Sequence, residues 1–313
     1  MATTVNITKS YAGEKAAGYI SASLLSGETI AQNAITVKPN VKFKEVLKTV
    51  STDGLLKNAS CDFDPTSTIT LAERILQPEF FQVNLQLCKS DFQSDWDAVS
   101  MGYSAFDSLP PSFADFILGH VAAKVAQKTE QNIWGGVNAN QGEFDGFTTL
   151  MSADANVNDV VTSETAFSSA TIIAELGKLV STIPTTVYGK EDVVIYMPTI
   201  AFQAYVRALG GFATGGLGAN GVDSKGSLWY SQGQSLSFEG IRVFHAPGMP
   251  ADHMVAAQAS NLFFGCGLLS DLNEVKLLDL ADIDGSQNCR VVMRTSAGVQ
   301  YAISEDVALY TLA

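Results

Sequence analysis

One stretch of the sequence, PPSFADFILGHVAAKVAQKTEQNIWGG at residues 110–136, runs for more than twenty residues without a helix breaker. Two prolines precede it, Ser112 is a favourable N-cap, and Gly135 follows as a C-terminal stop. These signals predict a single helix from Ser112 to Trp134, which would be about 34 Å long at ~1.5 Å per residue.

The apolar side chains of this helix do not stay on one face. They recur at steps of four or eight residues, at Phe113, Ile117, Val121, Val125 and Ile133. Because each residue advances by ~100°, every step of four overshoots a full turn by about 40°. The apolar stripe therefore winds around the helix. We expect its two ends to pack against different neighbours, as in a strut that joins two bodies of structure.

Upstream of the helix the pattern changes to extended chain. Leu55–Phe63 and Ile69–Leu87 flank the turn cluster DPTS at residues 64–67, and apolar and polar residues alternate near the end of the second segment. The pattern predicts a long two-stranded ribbon. Because such a ribbon is barely stable by itself in water, it needs a surface to lie on.

The downstream half indicates a mixed α/β unit followed by β-structure. A helix, a continuous apolar strand and a second helix are predicted at Ser168–Ile183, Asp192–Met197 and Thr199–Leu209. Further strands are predicted at Ile241–His245, Met254–Ala257, Leu262–Cys266, Val275–Asp279, Arg290–Arg294 and Val299–Ile303. Residues 141–150 are expected to form a turn and a short strand, and the small, polar residues 1–38 an arm with a helix at Gly13–Leu25.

The charge balance limits the partners. Nineteen Lys and Arg against 32 Asp and Glu give a net charge of −13, without a clustered basic region. A protein that grips a polyanion through counterion release needs such a cluster, so a nucleic acid partner would be enclosed and not gripped. No apolar run approaches the ~20 residues of a membrane span, and the N-terminus lacks the pattern of a signal peptide. We therefore expect a cytosolic protein without membrane contact.

The spacings of the glycine, histidine and cysteine residues do not indicate a nucleotide-binding loop, a zinc site or a disulfide framework. Gly216, Gly218 and Gly221 match the spacing of a dinucleotide-binding loop, but a helix enters this loop and no helix is predicted to leave it. The eight-residue spacing of His245 and His253 fits no common zinc pattern. The four cysteines stand far apart and are expected to be reduced thiols.

One enzyme hypothesis stays open. Cys266 is a nucleophile candidate with His245 as its base, although the adjacent Phe263 and Phe264 predict a buried thiol. Because no other catalytic arrangement is visible, we expect no catalytic residue, no cofactor and no metal, and the sequence favours a structural or binding protein.

The order of these parts resembles the major capsid protein of tailed bacteriophages, which has the Hong Kong 97 (HK97) fold. KTEQNIWGG and GEFDGFTTL resemble the end of that family's spine helix and the turn after it, and LAERILQPEFFQVNLQLCKSDF resembles the return strand of its E-loop. SATIIAELGKLVSTIP and DVVIYMPTIAFQAYVRAL resemble the helices and central strand of its axial domain. FEGIRVFHAPGMP, NLFFGCGLLSDLNEVKLLD and CRVVMRTSAGVQYAISEDVALYTL resemble its closing strands, so that the resemblance covers residues 40–313.

The resemblance implies an α+β fold with four parts. An N-terminal arm occupies residues 1–50, and an extended β-hairpin, the E-loop, occupies residues 51–90. A peripheral domain with a β-sheet comprises residues 91–165 and 286–313 and includes the spine helix, residues 112–134. An α/β axial domain spans residues 166–285.

The resemblance also implies a function and its partners. The chain would form pentamers and hexamers of an icosahedral virion capsid, assembled in the cytoplasm of a host bacterium around double-stranded DNA that it does not bind by sequence. Portal, scaffold or cement proteins would be further partners. The implied interface candidates are Arg74 as the charged anchor of the ribbon, Phe80 and Phe81 on the ribbon, Trp134 at the end of the strut, and Gly215, Gly216 and Gly218 in a loop near the capsomer axis.

Two departures and two alternatives accompany this reading. Asn58–Cys88 contains no lysine, so the Lys–Asn cross-link of some family members is not expected and the shell would be non-covalent or held by a cement protein. The short arm leaves no room for a fused scaffolding region, which implies a separate scaffold. The alternatives are an encapsulin-type compartment with the same fold, and a cytosolic enzyme that uses Cys266 and His245.

Overall fold

A computed structural model describes residues 28–52, 54–59, 61, 68–88, 111–160, 166–209, 236–267 and 276–312. The α-helices in this part of the chain are α1 (Glu28–Ala31), α2 (Pro111–Gly135), α3 (Phe147–Ser152), α4 (Ile172–Thr182), α5 (Thr199–Leu209) and α6 (Ala281–Asp284). The helix predicted at Ser112–Trp134 is confirmed as α2, and both helices predicted around the apolar strand are confirmed as α4 and α5.

The strands form two sheets and a separate pair. They are β1 (Thr36–Lys38), β2 (Glu45–Thr52), β3 (Ile69–Leu76), β4 (Glu79–Cys88), β5 (Asn158–Asp159), β6 (Val193–Met197), β7 (Leu236–Phe238), β8 (Ile241–His245), β9 (His253–Gln258), β10 (Leu262–Cys266), β11 (Lys276–Asp279), β12 (Asn288–Tyr301) and β13 (Ala308–Thr311). A five-stranded sheet has the order β1-β10-β12-β11, with β4 also paired to β12, and a six-stranded sheet has the order β5-β13-β9-β6-β8-β7. Among the described strands, β2 and β3 pair only with each other.

The six-stranded sheet separates two hydrophobic cores. Every residue of β6 is buried, as a continuous apolar strand at a sheet centre requires. Val194 and Tyr196 face the first core, which is shared with the five-stranded sheet and the end of α2. Val193, Ile195 and Met197 face the second core, which α4 and α5 cover. The order of layers is therefore helices, six-stranded sheet, first core and five-stranded sheet.

α2 enters the first core at its C-terminal end. Ile133 and Trp134 have 0% exposure, and Val121 and Val125, further back along the helix, are partly buried against the same core. The side chains of residues 111–118 lie outside the described part of the structure, so the different neighbour expected at the N-terminal end stays a prediction.

Four segments differ from the local predictions. Arg290–Arg294 and Val299–Ile303 were expected as two strands, but β12 runs unbroken because Gly298 pairs with Gly265 and the residues between are also paired. Residues 147–152 form the helix α3 instead of a strand. Strand β13 was not predicted. Residues 28–38 belong to the body and not to an arm, because Thr29, Ile30, Ala34 and Ile35 are buried and β1 pairs with β10.

The sheets also cross the expected boundary at residue 285. β10 lies in the interval expected for the axial domain but pairs with β12 in the five-stranded sheet. β13 lies in the interval expected for the peripheral domain but pairs with β9 in the six-stranded sheet. The chain passes between the two sheets more than once after residue 258, which a division by sequence interval does not capture. Among the described helices, none is both long and apolar enough to span a bilayer.

Candidate subunit interface

The two-stranded ribbon consists of β2 and β3, which pair in antiparallel register from Glu45↔Leu76 to Thr52↔Ile69. The sequence placed its strands at Leu55–Phe63 and Ile69–Leu87 instead. The first predicted strand is wrong, because the partner of β3 is β2 (Glu45–Thr52) and residues 54–59 form no strand. The second is right only for Ile69–Leu76, because the chain bends at Gln77–Pro78 and β4 pairs along ten residues of β12. The ribbon therefore comprises residues 45–76, and β4 belongs to the five-stranded sheet.

One side of the ribbon is an exposed, largely apolar surface, which we call the apolar face. Residues that pair across a sheet point to the same side, and alternate residues point to opposite sides. The register places on this side Val46 opposite Ile75, Lys48 opposite Glu73, Val50 opposite Leu71, and Thr52 opposite Ile69, so one charged pair interrupts the apolar residues. The five apolar residues of this face are 43% (Val46), 65% (Val50), 65% (Ile69), 71% (Leu71) and 50% (Ile75) exposed.

The opposite side of the ribbon contacts the body at its base. Leu47 and Leu76 are buried there and pack with Val41 and Phe263. A Cβ atom on Gly265 would lie 2.9 Å from Leu76 Cδ2, and one on Gly298 would lie 2.8 Å from the Gln77 carbonyl oxygen. The two glycines therefore allow the ribbon base to lie directly on the five-stranded sheet. Because this contact uses the other side of the ribbon, it leaves the apolar face exposed.

Arg74 lies on the body-facing side and holds the ribbon to its own chain. Its guanidinium forms an ion pair with Asp154, which follows α3, and stacks over the Tyr301 ring at 4.3 Å from the centroid. The Tyr301 hydroxyl donates to Asp154 Oδ2 at 2.9 Å. We call Arg74, Asp154 and Tyr301 the basal cluster. Arg74 was predicted to anchor the ribbon to another subunit, but the charge it meets belongs to its own body.

The pKa values of the basal cluster follow from its geometry. Burial alone would raise the pKa of Asp154, but hydrogen bonds from Arg74, the Asn156 amide and Tyr301 outweigh it and lower the pKa to about 2. Burial, with the hydrogen bond to Asp154, raises the pKa of Tyr301 to about 12. The carboxylate is therefore ionised and the phenol neutral across the physiological pH range.

Phe80 and Phe81 lie on β4 and not on the ribbon. Phe81 faces the first core, where its ring centroid is 6.0 Å from that of Phe144. Phe80 points to the other face of the five-stranded sheet and is 62% exposed. Of the two phenylalanines, Phe80 is the one with enough exposed side-chain surface to contact another subunit.

Trp134 is a core residue, so its prediction as an interface residue is wrong. Its ring packs against Tyr196 at 4.8 Å and Phe147 at 5.5 Å between centroids. Its indole N–H donates to Thr29 Oγ1 at 2.9 Å, and the Thr29 hydroxyl donates to the buried carboxyl of Glu130. Burial raises the pKa of Glu130. Sequence reasoning missed this polar cluster because Thr29 and Glu130 are 101 residues apart.

Gly215, Gly216 and Gly218, predicted in a loop near the capsomer axis, lie outside the described residues, as does the predicted helix Gly13–Leu25. Their assignment stays a prediction.

The structure separates the two members of the enzyme hypothesis. Cys266 is buried on β10, and burial raises the pKa of its thiol, which disfavours the nucleophilic thiolate. His245 contacts Thr199 Oγ1 at 3.0 Å through Nε2, and its Nδ1 lies 3.5 Å from a Glu28 oxygen. Among the residues that the structure describes, no group of three His, Cys, Asp or Glu side chains is placed to bind a metal.

Solved structures of capsid and virus-like-particle chains have a similar fold. A chain from the capsid of a native GTA particle, computed with C5 symmetry, aligns over 93% of this chain and 90% of its own length, with 13% identity and a TM-score of 0.60. The capsid of Myoviridae phage XM1 aligns over 99% and 96%, with 11% identity and a TM-score of 0.55. A virus-like particle from Pyrococcus furiosus aligns over 95% and 97%, with 7% identity and a TM-score of 0.51.

In contrast to the structure comparison, the sequence comparisons find no match for this chain. No protein-family profile matches the chain, and no curated protein matches it by sequence. At 7–13% identity the similarity to these structures establishes the fold. The chain therefore has an HK97-like capsid-protein fold.

Proposed function

We propose that this chain is the major capsid protein of a tailed bacteriophage, and that it assembles as pentamers and hexamers into an icosahedral shell around double-stranded DNA. The observation that carries the proposal is the apolar face of the ribbon, which the chain exposes on the side away from its own body. An exposed apolar strand pair is an aggregation hazard unless another protein surface covers it.

The size of the apolar face suits repeated weak contacts. The exposed fractions of its five residues add up to about three full side chains, which is worth roughly 4–9 kcal/mol when covered, at ~1.5–3 kcal/mol per side chain. Bringing two proteins together costs about 4–15 kcal/mol. One ribbon contact is therefore weak, and a closed lattice in which each copy gives and receives such contacts is stable.

Within this proposal the parts of the fold take the roles implied by the resemblance. The ribbon with the residues at its tip is the E-loop and lies across a neighbouring copy. α2 is the spine helix, the five-stranded sheet is the peripheral sheet, and the six-stranded sheet with α4 and α5 is the axial domain. Phe80, exposed beside the ribbon base, is a further contact candidate, and the glycine loop 210–221 lies near the capsomer axis.

The net charge of −13 suits a container for DNA. A strongly acidic wall repels the phosphate backbone, so that packaged DNA stays mobile and is not held by sequence. Portal, scaffold and cement proteins are further partners in this proposal. In this proposal the shell is non-covalent. Asn58–Cys88 contains no lysine, but the ribbon as the structure bounds it carries Lys48 and Lys57, so a denaturing gel decides whether the copies are cross-linked. Assembly takes place in the host bacterial cytoplasm.

A second candidate function has the same fold but a shell that encloses proteins instead of DNA. The alignment with a virus-like particle from Pyrococcus furiosus covers almost the whole of both chains, so the same fold also builds a particle that its description does not call a phage capsid. An encapsulin-type compartment that encloses proteins is the second function we consider.

Purification and imaging of the assembled protein test both candidates. We expect closed particles by negative-stain electron microscopy, and nuclease-protected double-stranded DNA inside particles from cells that carry the gene naturally. Protein cargo in place of DNA would favour the compartment, and a chain that stays monomeric at every concentration would refute both. On a denaturing gel a non-covalent shell runs as a single monomer band. Cys266→Ala is expected to form the same particles, which separates the shell from the enzyme hypothesis.

A further inference from the structure

The basal cluster joins three elements that are distant in the sequence. Arg74 comes from β3, Asp154 follows α3, and Tyr301 ends β12. Arg74 and Tyr301 both hydrogen-bond to Asp154 Oδ2, while the Asn156 amide donates to Oδ1 at 3.0 Å. The side chains of Arg74 and Asp154 are 27% and 15% exposed, so solvent screens their ion pair less than a surface pair.

The contacts of the basal cluster are directional. An Arg guanidinium is a planar fork, and here Nη2 meets a carboxylate oxygen while Cζ lies over the Tyr301 ring. A Lys–Glu pair or an apolar contact would tolerate many orientations, but a stacked and hydrogen-bonded guanidinium tolerates few. The position of Asp154 is itself held by Tyr301 and Asn156, so it does not follow Arg74 if the ribbon moves.

The basal cluster also lies at the point where the ribbon leaves the body. Leu76 and the hydrogen bond from Gln300 Nε2 to the Ile75 carbonyl (3.3 Å) hold the last residues of β3 on the sheet. Beyond Arg74 toward the tip, residues 69–73 of β3 are all exposed. Leu76 therefore acts as a pivot, and Arg74 is the contact next to it that resists rotation.

We propose that Arg74, Asp154 and Tyr301 are positioning residues that set the direction in which the ribbon leaves the body, and thereby the diameter of the assembled particle. The second half of this statement rests on the proposed shell function. The ribbon strands have eight residues each and extend about 25 Å at ~3.3 Å per residue. A tilt of about 10° at the base therefore moves the far end by about 4 Å. Repeated at every contact of a closed lattice, such a displacement changes the angle between neighbouring copies and the number of copies that close the shell.

The direction of the ribbon is measurable within one chain. Spin labels at Ser51→Cys on β2 and at Thr186→Cys after α4, both exposed positions, report the distance from ribbon to body when the native Cys61 and Cys88 are replaced by serine. Dilution with unlabelled chain restricts the signal to distances within one copy. We expect a narrow distribution for the parent protein, and a broadened or displaced one for Asp154→Asn and for Arg74→Gln.

Two comparisons separate positioning from general stability. Glu143 forms an ion pair with Lys128, and the pKa of its carboxylate is lowered to about 2, like that of Asp154. Glu143→Gln removes this pair, which lies away from the ribbon. It is expected to leave the ribbon distance and the particle diameter unchanged. Because the cluster acts as a unit, Arg74→Gln combined with Asp154→Asn is expected to change the distance no more than either substitution alone.

Electron microscopy of the same variants tests the second half of the proposal, the link between ribbon direction and particle diameter. We expect Asp154→Asn particles to vary in diameter while parent and Glu143→Gln particles are uniform. An unchanged distance distribution in Asp154→Asn overturns the inference. A broadened distribution with unchanged diameters overturns the link to particle size. If the parent chain forms no particles, the proposed function fails, and the distance measurement still decides whether the cluster directs the ribbon.

Discussion

The apolar face of the ribbon allows a sharp test, because its substitution affects assembly and folding differently. Leu71 lies at its centre and is 71% exposed in the single chain. Covering it in an assembly contributes about 1–2 kcal/mol, at ~1.5–3 kcal/mol for a fully buried leucine. Leu71→Asp loses this term and also forces a carboxylate out of water, which brings the expected cost to at least about 2 kcal/mol per contact.

This cost predicts the size of the effect on assembly. A loss of about 2 kcal/mol weakens each contact about 30-fold, since every 1.4 kcal/mol is a factor of ten. We expect the concentration threshold for particles to rise by about that factor, measured by sedimentation velocity over a dilution series with electron microscopy of each sample. The free energy of unfolding of the unassembled chain should change by no more than about 1 kcal/mol, the value of the cross-strand pair with Val50.

Ala72→Asp is the matched control. Ala72 is the next residue of β3, is exposed, and lies on the opposite side of the ribbon. It receives the same charge and the same unfavourable strand propensity without touching the apolar face. The reasoning is refuted if Leu71→Asp assembles at the threshold of the parent protein, or if Ala72→Asp is equally impaired.

Two further predictions concern the body of the chain. A Cβ atom on Gly248 would lie 2.1 Å from the Glu130 carbonyl oxygen, whereas one on Gly177 in α4 meets nothing within 4 Å. Urea denaturation should therefore show Gly248→Ala destabilised by about 3 kcal/mol or more and Gly177→Ala stabilised by about 1 kcal/mol. Equal effects of the two substitutions would contradict the close approach of the 246–250 turn to α2. Because burial raises the pKa of Glu130 above its ordinary value of 4.5, this residue favours folding most below that value, and its contribution is lost as the pH rises toward the folded-state pKa. Relative to the parent protein, Glu130→Gln should therefore gain stability between pH 5 and pH 8 in the same assay, and a constant difference would show that Glu130 is ionised throughout.

The sequence by itself determined the elements whose signals are local. α2 could be predicted almost to the residue because its prolines and Gly135 act on the adjacent backbone. α4, β6 and α5 were equally predictable. The apolar residues of the two helices recur with the helical period, whereas β6 is a continuous apolar run, and each pattern is visible within its own short segment. The resemblance to capsid proteins depended on the order of such elements, and the comparison with solved structures confirms the fold that this order indicated.

Only the tertiary structure decided which partners these elements meet. The alternation in β4 predicts a strand with one buried side but cannot name β12, more than 200 residues away, as its partner. An indole suits a core as well as a contact between chains, and a guanidinium suits an ion pair within the chain as well as one between chains. The sequence therefore does not decide the place of Trp134 or Arg74, which follows from Thr29 and Asp154 beside them. Pairing and burial depend on residues that are distant in sequence, and a local pattern carries no information about which distant residue arrives. The apolar face of the ribbon emerged in the same way, since the register of β2 and β3 and the side that contacts the body are properties of the folded chain.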